Sequence, residues 1–181
     1  GSEMCIRDRY ELCKREGRGL NCRFLAQVLS EMYLAMGFPS RFVTCQSKAY
    51  DTDTDCHVIN MVWSRQLGKW IWMDASFAAY VTDENGLLLH PGEVRERLIK
   101  GLPLVLNEDA NWNHKTKQTK EGYLENYMAK NLYMLDAHLE SRFETEPADG
   151  SGSPRMYLVP EGFWPLSGHT TYDDRYFWQA P

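Results

Sequence analysis

The sequence predicts an α+β fold in which an N-terminal helix packs on an antiparallel β-sheet. Residues 22–36 carry apolar side chains at three- and four-residue spacing, which is typical of an amphipathic helix. Three strand-like runs then follow within residues 41–74, joined by short loops that favour an antiparallel meander. Strands and helices do not alternate as they would in a doubly wound parallel sheet. The elements after residue 90 are mixed, and we expect a further helix and strands there.

Composition restricts the class of protein. The chain has 181 residues, of which 43% are hydrophobic, and its net charge is −5. No basic block compensates this charge, so a nucleic-acid or anionic-membrane surface is not expected. No apolar run reaches the ~20 residues of a membrane span. Because no Pro/Gly/Ser-rich linker divides the chain into halves, we expect one domain over residues 10–181.

Residues 1–9 look foreign to the rest. Gly1-Ser2 resembles the remnant of a cleaved tag, and Met4 to Arg9 resembles a translated sequencing adapter of the kind found in metagenomic contigs. The natural sequence is then expected to begin near Tyr10, after a lost upstream segment. The cellular location stays open for that reason, and a periplasmic or secreted protein is compatible with the sequence.

The helix over residues 22–36 is expected to end at Gly37-Phe38-Pro39, with glycine at the cap and proline beyond it. Its apolar stripe includes Leu25, Leu29 and Met32, which we expect to face the sheet. The predicted strands cover residues 41–46, 56–63 and 69–74, with a hairpin turn at 64–68.

The second half predicts further elements. They are a turn at Asn85-Gly86 with a strand at 87–89, a helix at 91–98, an exposed loop at 107–120, a long helix at 123–143, a flexible connector at 147–154, and strands at 156–159 and 176–178.

Cys22 stands at the predicted start of the first helix. The unpaired N–H groups and the positive dipole end of a helix N-terminus stabilise a thiolate there. A thiolate also needs a base partner to become an efficient nucleophile for acyl transfer, and that partner is usually a histidine.

The hairpin supplies such a histidine. Pairing Trp63 with Gly68 across a four-residue turn would set His57 opposite Asp74, on one face of the sheet. Directly opposed residues have Cβ atoms about 5 Å apart, so His57 can donate one ring N–H to the carboxylate and keep the other nitrogen for a thiol. A slip of one residue would separate the two side chains. Singly, each of the three residues is better explained as a structural residue; together they favour a reactive cluster.

Four stretches of the sequence resemble the transglutaminase-like superfamily over roughly residues 17–100. They are Gly19-Leu20-Asn21-Cys22-Arg23, Gly37-Phe38-Pro39-Ser40-Arg41-Phe42-Val43, Cys56-His57-Val58-Ile59-Asn60 and Trp70-Ile71-Trp72-Met73-Asp74-Ala75-Ser76. The family usually has an aromatic residue after the histidine, as in His-Ala-Trp, whereas here Val58 follows His57 and Asn60 stands where asparagine is often seen. We interpret this departure as divergence within a bacterial branch.

The resemblance implies a papain/transglutaminase-like core and a catalytic triad. Cys22 would be the nucleophile, His57 the general base and acid, and Asp74 the orienting group. The substrate would be an amide bond of a peptide or protein, with hydrolysis favoured over cross-linking, and no cofactor or metal is implied. The Cys22 backbone N–H is the natural oxyanion donor, while no upstream residue is assigned as a second one.

Two alternatives stay open at this stage. The first is a catalytically weak or inactive module that keeps the fold for binding, and the second, weaker one is an acetyltransferase with a similar triad. The oligomeric state is not indicated by the sequence.

The remaining cysteines and acidic residues suggest no metal site. Cys45 and Cys56 either form a disulfide across a hairpin or remain free thiols, and free thiols are the commoner outcome. The acidic loop at 51–55 lacks the glycine and the final glutamate that a calcium-binding loop needs. The other histidines show no ligand spacing.

Overall fold

The computed structural model describes residues 6–146, 152, 154–163 and 169–181. Its helices are α1 (Ile6–Glu16), α2 (Cys22–Ala35), α3 (Pro91–Lys100), α4 (Ala129–Asn131) and α5 (Asp174–Phe177), with a π-helix (Glu121–Met128) directly before α4. Its strands are β1 (Ser40–Gln46), β2 (Cys56–Ser64), β3 (Lys69–Met73), β4 (Val81–Thr82), β5 (Val105–Leu106), β6 (Asn111–Trp112), β7 (Thr116–Lys117), β8 (Met134–His138), β9 (Arg155–Leu158) and β10 (His169–Thr171).

A six-stranded sheet of order β10-β9-β8-β1-β2-β3 organises the chain. All neighbouring pairs in it are antiparallel except β9 and β10. Two small two-stranded sheets, β4-β5 and β6-β7, accompany it. The predicted α+β class with a helix packed on an antiparallel sheet is confirmed.

The helix α2 begins and ends as predicted. The side chain of Asn21 accepts a hydrogen bond from the backbone N–H of Phe24 at 2.8 Å and so caps the first turn. At the other end Gly37 takes a left-handed conformation (φ 83°) that glycine adopts without strain. These two residues set the helix limits that place Cys22 in the first turn.

The face that α2 turns to the sheet differs from the predicted stripe. Its buried residues are Phe24, Ala26 and Ser30, while Met32 is 57% exposed. Because alanine and serine are small, the helix backbone lies close enough to β2 for the Asn60 side-chain amide to donate to the Ala26 carbonyl at 2.7 Å. The helix therefore covers the face of the sheet that carries Val58 and Asn60, and not the tryptophan-bearing face.

The β2–β3 hairpin has a register two residues away from the predicted one. Ser64 pairs with Lys69 and Met61 with Trp72, so the predicted pairing of Trp63 with Gly68 is wrong. Gly68 belongs to the turn, where it takes φ 62°, and pairing starts one residue later on β3. A slip of two residues keeps every side chain on its predicted face, because successive side chains alternate.

The second half departs most from the sequence pattern. The predicted long helix over residues 123–143 ends near Asn131, and β8 follows as a central strand between β1 and β9. The predicted strand at 176–178 is part of α5, the loop at 107–120 contains β6 and β7, and the strand at 87–89 is a single bridge from Leu88 to Thr82. The helix at 91–98 and the strand at 156–159 are confirmed within two residues. Most of the predicted connector at 147–154 lies outside the described residues.

The main core lies on the face of the sheet opposite α2. It contains Ile59, Met61, Trp70, Trp72, Tyr123, Leu124, Met128, Leu135, Met156 and Phe177, among others. A smaller cluster of Ala26, Phe42 and Val58 fills the space under α2, and Cys22 packs against it. In the described part of the chain, no helix has the length and apolarity that crossing a membrane requires.

Candidate active site

Cys22 is the first residue of α2 and lies beside the start of β2. Its side chain is partly exposed and packs against the small cluster that includes Val58. Backbone hydrogen bonds from Val58 and Arg23 lower the pKa of its thiol. The helix start and the strand edge thus both direct N–H groups at the thiol, an environment that favours the thiolate.

His57 lies one residue before Val58 on β2 and is 1% exposed. Its Nε2 atom is 2.6 Å from Oδ2 of Asp74. Since Nε2 faces the carboxylate, Nδ1 is left to face Cys22, and the pKa values of the two residues are coupled through a hydrogen bond and their charges. The structure therefore brings together all three side chains singled out from the sequence.

The contact between His57 and Asp74 does not depend on the predicted register. Asp74 follows β3 and forms a bridge with Ala79 across a tight turn, so it is not paired with His57 in the ladder. Its side chain reaches His57 because both residues lie on the same face of the sheet, at the end where β2 begins. The contact between His57 and Asp74 was predicted correctly, but the β2–β3 register from which it was predicted was wrong.

Four hydrogen bonds hold the carboxylate of Asp74. Oδ1 accepts from the backbone N–H groups of Ser76 at 2.8 Å and Phe77 at 3.2 Å. Oδ2 accepts from the Tyr123 hydroxyl at 2.6 Å, in addition to its contact with His57. A carboxylate that is 2% exposed needs such partners, because an unpaired buried charge is costly. The four contacts fix the carboxylate and, through it, the orientation of the imidazole.

Tyr123 is the member of this group that sequence reasoning missed. It lies 49 residues from Asp74, on the π-helix, and is fully buried. Burial and the negative charge of Asp74 raise the pKa of the Tyr123 hydroxyl well above its usual value, so the hydroxyl stays protonated and donates. Apart from its aromatic character, its sequence neighbourhood carries no signal for this role.

The charges of Cys22 and His57 stabilise each other. Burial raises the pKa of the Cys22 thiol, but the hydrogen bond and positive charge of His57, with the two backbone N–H groups, outweigh burial and leave that pKa lowered. Burial lowers the pKa of His57, but the charge and hydrogen bond of Asp74 and the contact with Cys22 outweigh it and raise that pKa to about 9. Both shifts favour a thiolate–imidazolium pair at neutral pH.

Aromatic rings enclose the imidazole. Phe77 and Tyr127 pack edge-on against His57, with ring centroids 5.2 Å and 5.5 Å away. Phe77 also contacts Trp112, at 4.6 Å between centroids, and Trp112 is 41% exposed. These rings exclude water from the pair formed by His57 and Asp74, while Trp112 forms part of the surface beside the site.

A network of charged residues lies next to Cys22 on the other side. Glu146 accepts hydrogen bonds from Arg23 at 2.8 Å and from Gln27 at 2.7 Å, and it also pairs with Arg155. Arg23 and Arg155 both donate to the Thr44 hydroxyl. The network ties the first turn of α2 to β1 and β9, which keeps the residue after Cys22 in place.

The described cysteines are all free thiols. Cys45 lies opposite His57 in the ladder and Cys56 lies opposite Gln46, so the two thiols are on different faces of the sheet and form no disulfide. Among the described residues, no group of three or more His, Cys, Asp or Glu side chains is placed to hold a metal ion.

Comparison with known families supports the resemblance seen in the sequence. Residues 6–75 match the family model described as the transglutaminase-like superfamily. This stretch contains α1, α2, β1, β2 and β3, and with them Cys22, His57 and Asp74. Searches of curated proteins and of solved structures give no significant match. The predicted family resemblance is confirmed over this stretch.

Proposed function

We propose that the protein is a thiol-dependent acyl-transfer enzyme that acts on amide bonds, in keeping with the match of residues 6–75 to the transglutaminase-like superfamily. Cys22 is the nucleophile, His57 the general base and acid, and Asp74 the group that orients the imidazole. One observation carries the proposal: His57 lies 2.6 Å from the Asp74 carboxylate through Nε2, and the same imidazole lowers the pKa of the Cys22 thiol through a hydrogen bond and its positive charge.

The reaction proceeds in two steps. The Cys22 thiolate attacks the amide carbonyl carbon, and His57 donates its proton to the departing amine as a thioester forms. A water molecule or an amine then gives its proton to His57 and attacks the thioester, which releases the acyl group and restores the thiolate. Asp74 keeps its charge throughout and stabilises the imidazolium. The Cys22 backbone N–H, at the start of α2, is the natural donor to the oxyanion.

Hydrolysis, as a peptidase or amidase, is the preferred outcome over protein cross-linking. The preference comes from the family resemblance, and both outcomes share the thioester. The arrangement of Cys22, His57 and Asp74 also favours an enzyme over a binding module that merely keeps the fold. Such a module has no need for a thiol with a lowered pKa beside a histidine with a raised pKa.

The first experiment tests the nucleophile. The protein is treated with a limiting amount of an electrophilic thiol probe at neutral pH, and the labelled cysteine is mapped by mass spectrometry. We expect labelling at Cys22 that is lost in Cys22→Ala and strongly reduced in His57→Ala. Cys13→Ser serves as the matched control and should label like the parent. Labelling that persists undiminished in Cys22→Ala contradicts the proposal.

The second experiment separates the reaction types. A mixture of peptides is incubated with the parent protein and with Cys22→Ala, with and without a primary amine acceptor, and the products are read by mass spectrometry. Hydrolysis adds the mass of water to a cleaved amide, whereas transamidation adds the amine. If neither product exceeds the level of the Cys22→Ala reaction, the binding module becomes the better explanation.

A further inference from the structure

Arg41 is a buried cation that the proposed acyl transfer does not use. It is the second residue of β1 and is 6% exposed. Its guanidinium carbon lies 4.4 Å from the centroid of the Trp70 ring, and this cation–π contact holds the side chain in place. The positive charge is therefore fixed inside the fold.

The guanidinium lacks most of the partners that a buried charge needs. Its Nη1 donates to the backbone carbonyl of His138 at a long 3.4 Å, whereas Nε and Nη2 have no acceptor in the described part of the chain. Burial lowers the pKa of Arg41 to about 10, and no carboxylate among the described residues lies close enough to oppose this shift. Arg41 is still charged at neutral pH, and a buried charge without a counter-ion is costly.

An open pocket of about 520 Å³ lies beside this cation. Arg41 forms part of its wall, and the apolar side chains of Leu34, Phe38, Pro39 and Leu139 form much of the remainder. None of the side chains that line the pocket is acidic. The pocket thus combines an apolar rim with one positive charge that the described residues leave uncompensated.

The pocket lies away from the candidate active site. Leu34 is in the last turn of α2 and follows Cys22 by twelve residues, which is about 18 Å along the helix at the usual rise. On β1, Arg41 precedes Cys45, the ladder partner of His57, by four residues, or about 13 Å. A small molecule in this pocket would not occupy the position of the Cys22 thiol.

We propose that this pocket binds an organic carboxylate that carries an apolar group. The carboxylate supplies the anion that Arg41 lacks, and the planar guanidinium matches its two oxygens. The apolar group packs on Phe38 and Leu139, which a small inorganic anion would leave in contact with water. A free acid and the C-terminal residue of a peptide both present this chemistry. The site does not depend on the proposed acyl transfer.

Isothermal titration calorimetry with two matched pairs of probes provides the test. The first pair is 3-phenylpropionate and its amide, 3-phenylpropanamide, which has the same apolar group but no charge. The second pair is acetyl-Gly-Phe with a free carboxylate and acetyl-Gly-Phe with a C-terminal amide. In at least one pair, we expect saturable binding of the acid that is about tenfold tighter than that of the amide.

The comparison of the two acids identifies the source of the carboxylate. A peptide acid that binds more tightly than 3-phenylpropionate supports a peptide C-terminus, and the reverse order supports a free acid. Equal affinities of acid and amide in both pairs overturn the proposal, as does the absence of saturable binding for both acids at millimolar concentrations.

Phe38→Glu is the informative variant and Leu87→Glu is its matched control. The two positions are 44% and 42% exposed, so each change adds a carboxylate at the surface, but Leu87 does not line the pocket. A negative charge at the rim should weaken binding of the acid severalfold, whereas Leu87→Glu should bind like the parent. Unchanged affinity in folded Phe38→Glu, checked by circular dichroism, overturns the proposal.

Two further variants locate the bound acid. A folded Arg41→Met protein should lose the preference for the acid over the amide, because methionine fills the space of the side chain without its charge. Cys22→Ala should bind the acid like the parent. Loss of binding in Cys22→Ala would place the acid at the candidate active site and overturn the proposal.

Discussion

Replacement of Tyr123 by phenylalanine tests how the carboxylate of Asp74 is held. The change removes one hydroxyl, which donates to Oδ2 of Asp74 at 2.6 Å, from a fully buried position. Phenylalanine keeps the ring and therefore the packing against Phe77, whose centroid is 4.5 Å away. The variant thus isolates one hydrogen bond to a buried charge.

The magnitude follows from the charge of the acceptor. Hydrogen bonds to charged groups contribute roughly 1.5–3 kcal/mol, and the partner left behind stays buried. Because only an oxygen atom is removed, the cavity term is small. We expect the free energy of unfolding to fall by about 2 kcal/mol. For a chain of this length, that corresponds to a Tm lower by roughly 4–8 °C.

Urea unfolding measures the effect, with Tyr127→Phe as the matched control. Tyr127 belongs to the same π-helix and its ring packs on His57, but the tyrosine hydroxyl that donates to Asp74 is that of Tyr123. The control should change the unfolding free energy by less than about 0.5 kcal/mol. Tyr123→Phe should also slow the labelling of Cys22, since His57 loses part of its support. A Tyr123→Phe protein as stable as the control would refute the reasoning.

Three further predictions concern the groups around the thiol. Labelling of Cys22 as a function of pH should have its midpoint below the ordinary thiol pKa of 9.0. His57→Ala should move that midpoint upward, because the imidazolium that stabilises the thiolate is present only below the His57 pKa of about 9. An unmoved midpoint would contradict the pairing of Cys22 with His57. Asn21→Ala should lower the free energy of unfolding by about 1 kcal/mol through loss of the α2 cap, measured by urea unfolding, and an unchanged value would show that the cap is not stabilising. Burial raises the pKa of Glu146, but its hydrogen bond from His138 and the charges of Arg23 and Arg155 outweigh burial and lower that pKa to about 2. The contribution of Glu146 to stability is therefore present above pH 4.5 and lost as the pH falls towards 2. Glu146→Gln should be less stable than the parent near neutral pH and should lose less stability on acidification, as measured by thermal melts between neutral pH and pH 2. Parallel pH profiles of the parent and the variant would exclude this role.

The first half of the fold was predictable because local signals and tertiary structure agree there. The apolar spacing of residues 22–36, the Gly37-Phe38-Pro39 stop and the hairpin turn all act over a few residues. The face of α2 that is buried was not predictable, because it depends on how closely Ala26 and Ser30 let the helix approach β2.

In the second half, the sequence pattern predicts the wrong element where strand pairing overrides the spacing of apolar residues. Leu124, Met128, Leu132 and Leu135 follow one another at helical intervals, which predicts a helix continuing past residue 131. The chain instead leaves the helix and enters the sheet as β8, since pairing on both sides with β1 and β9 satisfies its backbone. Such pairing partners lie far away in the sequence and leave no local pattern.

The candidate site shows the same division. Cys22, His57 and Asp74 could be selected because helix starts and strand alternation are local rules, and a register error of two residues does not change the face of a side chain. Tyr123 could not be selected, because its contact with Asp74 arises from the packing of the π-helix on the sheet.

The stretch that matches the family model ends at residue 75, yet two interactions that stabilise it involve residues later in the chain. Strand β8 pairs with β1 along one side, and Tyr123 supplies a donor to Asp74. A fragment trimmed to residues 6–75 would have an unprotected strand edge, prone to association with other chains, and a buried carboxylate short of a donor. We therefore expect that residues 6–75 do not fold by themselves, and truncated variants should retain the chain at least through β8.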